Sequence, residues 1–184
     1  MSMLNNVKLV RVSKPQFKKY LYDPSEFKLD YDDWKAHPDE KNILIVDFWE
    51  DILNLLEDAI LKKEGGGRYS YKKETIDKVF FSGELMHWDM YYHYLKPKEV
   101  KEIARLLINL TRNDFKEVFD IDLLQCTESF SLLEDGSEDE KGIFNNLMST
   151  IEELQRFYAF AAVNKEGLIT FRNIMVILIR RLNS

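Results

Sequence analysis

The sequence predicts an α+β domain in which several amphipathic helices pack on a small mixed or antiparallel sheet. Three observations carry that prediction. Helix-start signals recur along the chain, β-branched stretches stand near both ends, and the composition is that of a core-forming chain. Of 184 residues, 45% are hydrophobic and 13% aromatic, far more apolar material than a disordered chain carries. A chain of this length fits one domain and buries a sizeable core. Residues 1–184 are therefore expected to form a single domain, with 172–184 as its C-terminal tail.

Val7 to Val12 is β-branched and alternating, and reads as a strand. It leads into a helix running to about Tyr22. There Ser13 and Gln16 form a capping-box pair, and Val12 and Phe17 are spaced as a hydrophobic staple. Asp23 to Asp39 is polar and holds Pro24 and Pro38, which predicts a loop with a turn of helix near Trp34. Asp47 is the expected N-cap of the next helix, with Glu50 three residues on. Its apolar stripe is Phe48, Trp49, Ile52, Leu53, Leu56, Ala59 and Ile60. Lys62, Lys63 and the glycines at 65–67 end it. Lys78 to Ser82 reads as a short aromatic strand, whereas Gly83 to Tyr94 shows no clear period.

Tyr94 to Asp120, YLKPKEVKEIARLLINLTRNDFKEVFD, predicts two consecutive helices. Pro97 suits the first helical position, where its missing N–H has no intrahelical acceptor to lose. Glu99 follows in the first turn, at the positive end of the helix dipole. Val100, Ile103, Ala104 and Leu107 then share one face. Thr111 and Asp114 start the second helix, with Phe115, Val118 and Phe119 on its apolar side. Leu95 with Val100, and Leu110 with Phe115, are spaced as staples.

Beyond an acidic loop at 134–140, a long helix is expected to about Val163. Phe144, Leu147, Met148, Ile151, Leu154, Tyr158, Ala161 and Ala162 lie on one side. Gly167 is read as its breaker, and Leu168 to Phe171 as a strand. Ile174 to Ile179 is so uniformly apolar that periodicity does not choose between strand and buried helix.

Composition also narrows function. A net charge of −6 argues against nucleic acid, whose phosphates call for a concentrated basic surface. No apolar run approaches the roughly 20 residues that span a bilayer. The opening MSMLNNVKLVRV lacks the charged-then-apolar layout of a signal peptide, so a cytoplasmic location is expected. Cys126 is the single cysteine, which leaves no internal disulfide and no cysteine metal knuckle. The chain runs acidic from Asp30 to Asp58, interrupted by Lys35 and Lys41. It then turns basic through Lys62, Lys63, Arg68, Lys72, Lys73 and Lys78. Such stretches either pair internally or face a partner.

On these elements the chain resembles the YfbM-like family, small bacterial proteins built on a domain of unknown function. The resemblance runs through the opening strand, the helix with Trp49, and YLKPKEVKEIARLL. It continues in the Phe157-Tyr158 and Ala161-Ala162 pairs and the closing strand. It implies a single α+β domain and transfers no catalytic residue. The chain departs from the family after Asp120, where a Tyr-Pro is missing, and in a longer tail carrying Arg180 and Arg181.

The best candidate site is GELMHWDMYYHY, Gly83 to Tyr94. Its candidate binding residues are His87, Trp88, Asp89, Tyr91 and His93. His and Asp are the groups that bind zinc or move protons. On a helix Asp89 and His93 share a face, and on a strand His87 and Asp89 do. Neither geometry gathers all three, so no metal or cofactor is assigned. Aromatic rings beside a few polar groups suit recognition instead.

Other motifs fail on chemistry. Lys62 to Arg68 has glycines after a helix and lacks the Gly-Lys-Ser/Thr ending of a phosphate loop. Asn164 to Gly167 lacks the alternating oxygens and terminal Glu of a calcium loop. Ser70, Ser82 and Cys126 have no base at a telling spacing, and no catalytic residue is assigned. The expected function is non-catalytic binding of another protein, with an inhibitor or immunity-type role as one concrete version. The alternative is a small enzyme or metabolite-binding protein with a pocket at residues 83–94. A homodimer through Ile174 to Ile179 is a third expectation.

Overall fold

Six consecutive buried residues, Val7–Val12, form β1 in the middle of the molecule. The computed structural model describes residues 6–36, 42–65, 71–81, 83–87, 92–124, 136 and 139–172. After β1 come α1 (Lys14–Tyr22), α2 (Pro24–Ala36), β2 (Ile43–Val46) and α3 (Trp49–Lys63). Two short helices follow, α4 (Tyr71–Ile76) and α5 (Lys78–Phe81), then β3 (Glu84–His87) and β4 (Tyr92–Leu95). The chain continues with α6 (Pro97–Ile108), α7 (Arg112–Lys116), a 3-10 turn at Ile121–Leu124, α8 (Glu140–Val163) and β5 (Gly167–Arg172).

The five strands form one sheet in the order β2-β1-β5-β4-β3, and neighbouring strands run antiparallel. Successive side chains of a strand point to opposite faces, and both faces are covered. On the inner face Val7, Leu9, Leu95 and Leu168 join the apolar stripes of α3, α6 and α8. On the outer face Val10, Val12, Tyr94, Ile169 and Phe171 meet Tyr20, Phe27, Tyr31 and Trp34 from α1 and α2. Burial on both sides takes in even the polar residues of these strands, Lys8 and Arg11 of β1 and Thr170 of β5. The fold is thus α+β, with an antiparallel open sheet between two helical layers.

Several starts are as expected. Ser13 accepts from the Gln16 N–H while Gln16 accepts from the Ser13 N–H, and Thr111 and Asp114 make the same reciprocal pair. Glu99 accepts from the Lys96 N–H ahead of Pro97. Both expected staples of the α6–α7 segment lie in the inner core.

Other readings need correction. The segment from Asp23 is a helix rather than a loop: Phe27, Tyr31 and Trp34 are buried at the spacing of one helical face, between polar neighbours that mask it. Asp23 serves this start, accepting from the hydroxyl and N–H of Ser25, and those bonds lower its pKa. Ile43–Val46 is a strand that four residues were too few to announce. Asp47 does not cap α3. Phe48 holds the N-cap position in left-handed backbone (φ 54°) with no side-chain capping bond.

Lys78 to Phe81 is helical rather than extended, because Val79 and Phe80 turn into the inner core. The α3 stripe also includes Leu55, and α8 buries Ile143 and Phe157. Gly167 does not end α8 either. The Lys165 N–H bonds to Ala162 O and the Glu166 N–H to Ala161 O, with Lys165 left-handed (φ 58°), which is a Schellman motif. Gly167 is instead a strand residue pressed on Tyr94. A Cβ there would collide with the Tyr94 ring and sit 2.7 Å from Leu95 O.

The basic stretch pairs at least partly within the chain. Lys62 meets Glu117 at 3.1 Å, Lys63 meets Asp114 at 2.9 Å and Lys78 meets Glu99 at 3.6 Å. Those bonds to Lys63 and Thr111 hold the Asp114 carboxyl down at about 2. Arg68, Gly66, Gly67, Cys126 and Ile174 to Ile179 lie outside the described residues. Among the described residues no helix is long and apolar enough to cross a membrane.

Candidate functional site

The candidate segment folds as a β-hairpin at one edge of the sheet. Glu84 pairs with Tyr94, Leu85 with His93 and His87 with Tyr92, the register slipping between Leu85 and His87, as one extra residue in a bulge requires. Lys96 meets Glu84 at the base of the hairpin. Among the described residues β3 is the terminal strand.

Alternate residues of β4 go to opposite faces. Tyr92 lies edge-on to Phe27 and Phe171 at 5.0 and 5.1 Å between ring centroids, and Tyr94 stacks on Phe17. Burial raises both phenols, Tyr94 to about 12. They are core residues of the outer layer and not ligands in waiting.

His93, between them, faces the inner side. Its cross-strand neighbour is Thr170 of β5, which is fully buried. The Nδ1 of His93 and the Oγ1 of Thr170 are both buried without a hydrogen-bond partner. Burial lowers the His93 pKa, partly offset by a backbone hydrogen bond with Gly83, so the ring is neutral at neutral pH. Two residues beyond Thr170 on the same face, Arg172 lays its guanidinium 4.1 Å from the centroid of the Trp49 ring. Burial lowers the Arg172 pKa and the nearby Glu50 carboxylate opposes that. Trp49 packs edge-on to Phe80 at 6.1 Å. The strained Phe48 joint is what delivers Trp49 to this place.

Of the expected site residues, the structure thus places His93 on the inner face. His87 ends β3; its side chain, and all of Trp88, Asp89 and Tyr91, lie outside the described residues, as do Ser70 and Ser82. No group of three or more His, Cys, Asp or Glu suited to a metal occurs among the described residues. Thr170, Arg172 and Trp49 were not among the candidates. The pattern Leu-Ile-Thr-Phe-Arg does carry a signal, polar residues alternating with Ile169 and Phe171 in a strand buried on both faces. Chemically, the row offers a neutral imidazole, a hydroxyl and a guanidinium within one patch of sheet.

Comparison with solved structures finds YfbM from Escherichia coli, titled a protein of unknown function. It has a TM-score of 0.59 and 15% sequence identity, over 91% of this chain and 99% of that one. At that identity the likeness speaks for the fold. No curated protein matches. The family model described as a domain of unknown function, DUF1877, matches residues 1–171. The chain belongs to that family, and is YfbM-like.

Proposed function

We propose that the chain is a non-catalytic binding protein that recognises another protein through the β3–β4 edge. The observation that carries this is the position of the hairpin. Among the described residues it forms the end of the sheet, where an outer strand offers backbone donors and acceptors to a partner, and Trp88, Asp89 and Tyr91 stand between its strands in the sequence. The net charge of −6, with Lys62, Lys63 and Lys78 engaged within the chain, favours a basic partner. An inhibitor or immunity-type role in the cytoplasm, covering a basic toxin or enzyme, is the concrete form.

Electrostatic attraction of this kind speeds association and weakens with salt. Affinity capture from the native cell at low and high salt, with Trp88→Ala and Tyr91→Ala beside the wild type, tests it. The expected result is one partner held at low salt, released at high salt, and weakened roughly tenfold or more by each variant, as for aromatic anchors. Failure to recover a partner at either salt, or equal recovery by all three proteins, sinks the proposal.

A further inference from the structure

We infer that the open edge of β2 is a contact between two copies of this chain, paired antiparallel so that their sheets run on as one. It lies at the other end of the sheet from the protein partner proposed above and does not depend on it. Among the described residues β2 has β1 as its one neighbour. The register shows which backbone groups point away from that neighbour. The Arg11 N–H donates to Asn42 O at 2.9 Å, so these two form a hydrogen-bonded pair of the ladder. Bonded and non-bonded pairs alternate along an antiparallel ladder. Leu9 with Leu44 is then bonded, whereas Val10 with Ile43 and Lys8 with Ile45 are not. The N–H and C=O groups of Ile43 and Ile45 therefore point out of the edge.

The edge also lacks what keeps most sheet edges apart. A lysine, a proline or a bulge usually prevents strands from meeting there. β2 is Ile43-Leu44-Ile45-Val46, and its pairing with β1 has no register shift. Large apolar side chains frame it on both faces. Ile45, opposite Lys8 on the outer face, is 49% exposed. On the inner face Phe160 of α8 is 54% exposed, and Val163, one turn on, is 81% exposed. Arg11 ties Phe160 to this edge, with its guanidinium 4.1 Å from the ring centroid and a hydrogen bond of 2.8 Å to Asn42 Oδ1. A second copy is the occupant that fits, because the edge is complementary to itself. A twofold axis through Leu44, perpendicular to the sheet, sets Ile43 of each copy opposite Ile45 of the other. All the outward donors and acceptors then meet, and each exposed Ile45 lies beside Ile43 of the other copy. β2 carries no charge that would select a partner of opposite sign.

The test is sedimentation velocity and light scattering over a concentration series of the full chain, at low and at high salt. A monomer–dimer equilibrium is expected. Salt should tighten it, because each copy carries a net charge of −6 and screening relieves their repulsion. That is the reverse of the salt response expected for the basic partner. Ile45→Pro removes an outward N–H that β1 does not use, which an edge strand tolerates, and should weaken the dimer roughly tenfold or more. Ile45→Lys should do the same by setting like charges across the axis, and it serves if the proline variant does not fold. Leu44→Cys in a Cys126→Ser background should give a disulfide-linked dimer on mild oxidation. Facing residues of a non-bonded pair bring their Cα atoms to about 4.5 Å, within reach of a disulfide. A monomer at every concentration and salt overturns the assignment. So does a dimer that high salt dissolves, one that the folded Ile45 variants leave intact, or one that the Leu44→Cys variant does not cross-link.

Discussion

The two faces of β4 and β5 set opposite chemistries on alternate residues of the same strands. Outward, Tyr92, Tyr94, Ile169 and Phe171 close a ring-on-ring core with α1 and α2. Inward, His93, Thr170 and Arg172 put polar groups under α3 and α5. An unsatisfied buried polar atom costs about 1–3 kcal/mol, and burying one aromatic side chain gains a comparable amount. The outer face can therefore hold these strands in place while the inner face tolerates atoms without partners. Aromatic packing and unsatisfied polar atoms are divided by the pleat and not by distance along the chain.

Breaking the outer face should have the largest effect. Phe27 touches Tyr20, Tyr31, Tyr92 and Phe171. Phe27→Ala should destabilise the protein by about 3–5 kcal/mol, the usual range for a buried aromatic cut to alanine, read from urea denaturation. Next comes the joint that aligns the two faces. Gly167→Ala places a methyl against the Tyr94 ring and Leu95 O, and the expected loss is about 1–3 kcal/mol from overpacking. Two residues earlier the sign reverses. Lys165 is left-handed at the helix end, a conformation costing a non-glycine residue about 1 kcal/mol. Lys165→Gly should therefore stabilise by roughly that amount, and a loss in both variants would refute the assignment of roles.

The inner face should respond more weakly and in the other direction. Thr170→Val keeps the shape and removes an unsatisfied hydroxyl, so it should be neutral or stabilising by up to about 1 kcal/mol. A clear loss would mean that the hydroxyl has a partner in solution.

What was legible in the sequence follows the same division. Caps and staples act over three or four residues, so Ser13, Thr111 and Pro97 announced their helices locally. β1 was legible from β-branched residues that alternate with others, and β5 from the short stretch Leu168 to Phe171 after Gly167. The α2 helix was hidden, since its stripe of Phe27, Tyr31 and Trp34 is diluted by Asp32 and Asp33 on the solvent side and by Asp30, which accepts from the Tyr20 hydroxyl. Phe48 displaced Asp47 from the cap because the short joint from β2 to α3 forces a left-handed residue there, and that is a tertiary demand. The candidate segment was found, but only His93 of its candidates lies among the described side chains. Its neighbours Thr170 and Arg172 stand about eighty residues on, and only antiparallel registration brings them beside it.

The smallest expected effect is also the most specific to the inner face. Burial depresses the His93 pKa below its usual 6.5. The unfolded chain thus takes up a proton at higher pH than the native state does. The resulting stability is fully present above about 6.5 and is lost as pH falls through the folded value. Wild-type stability should decline between pH 7.5 and 5.5, and His93→Leu should flatten that decline, measured by urea midpoints at both pH values. Glu166 works in the reverse sense, because burial raises its carboxyl above the ordinary 4.5 and acid then favours the native state. That contribution is common to both proteins and cancels in the difference. An equal pH slope in the variant would show that His93 is solvated enough to titrate normally, and the inner face would then be no more sheltered than a surface.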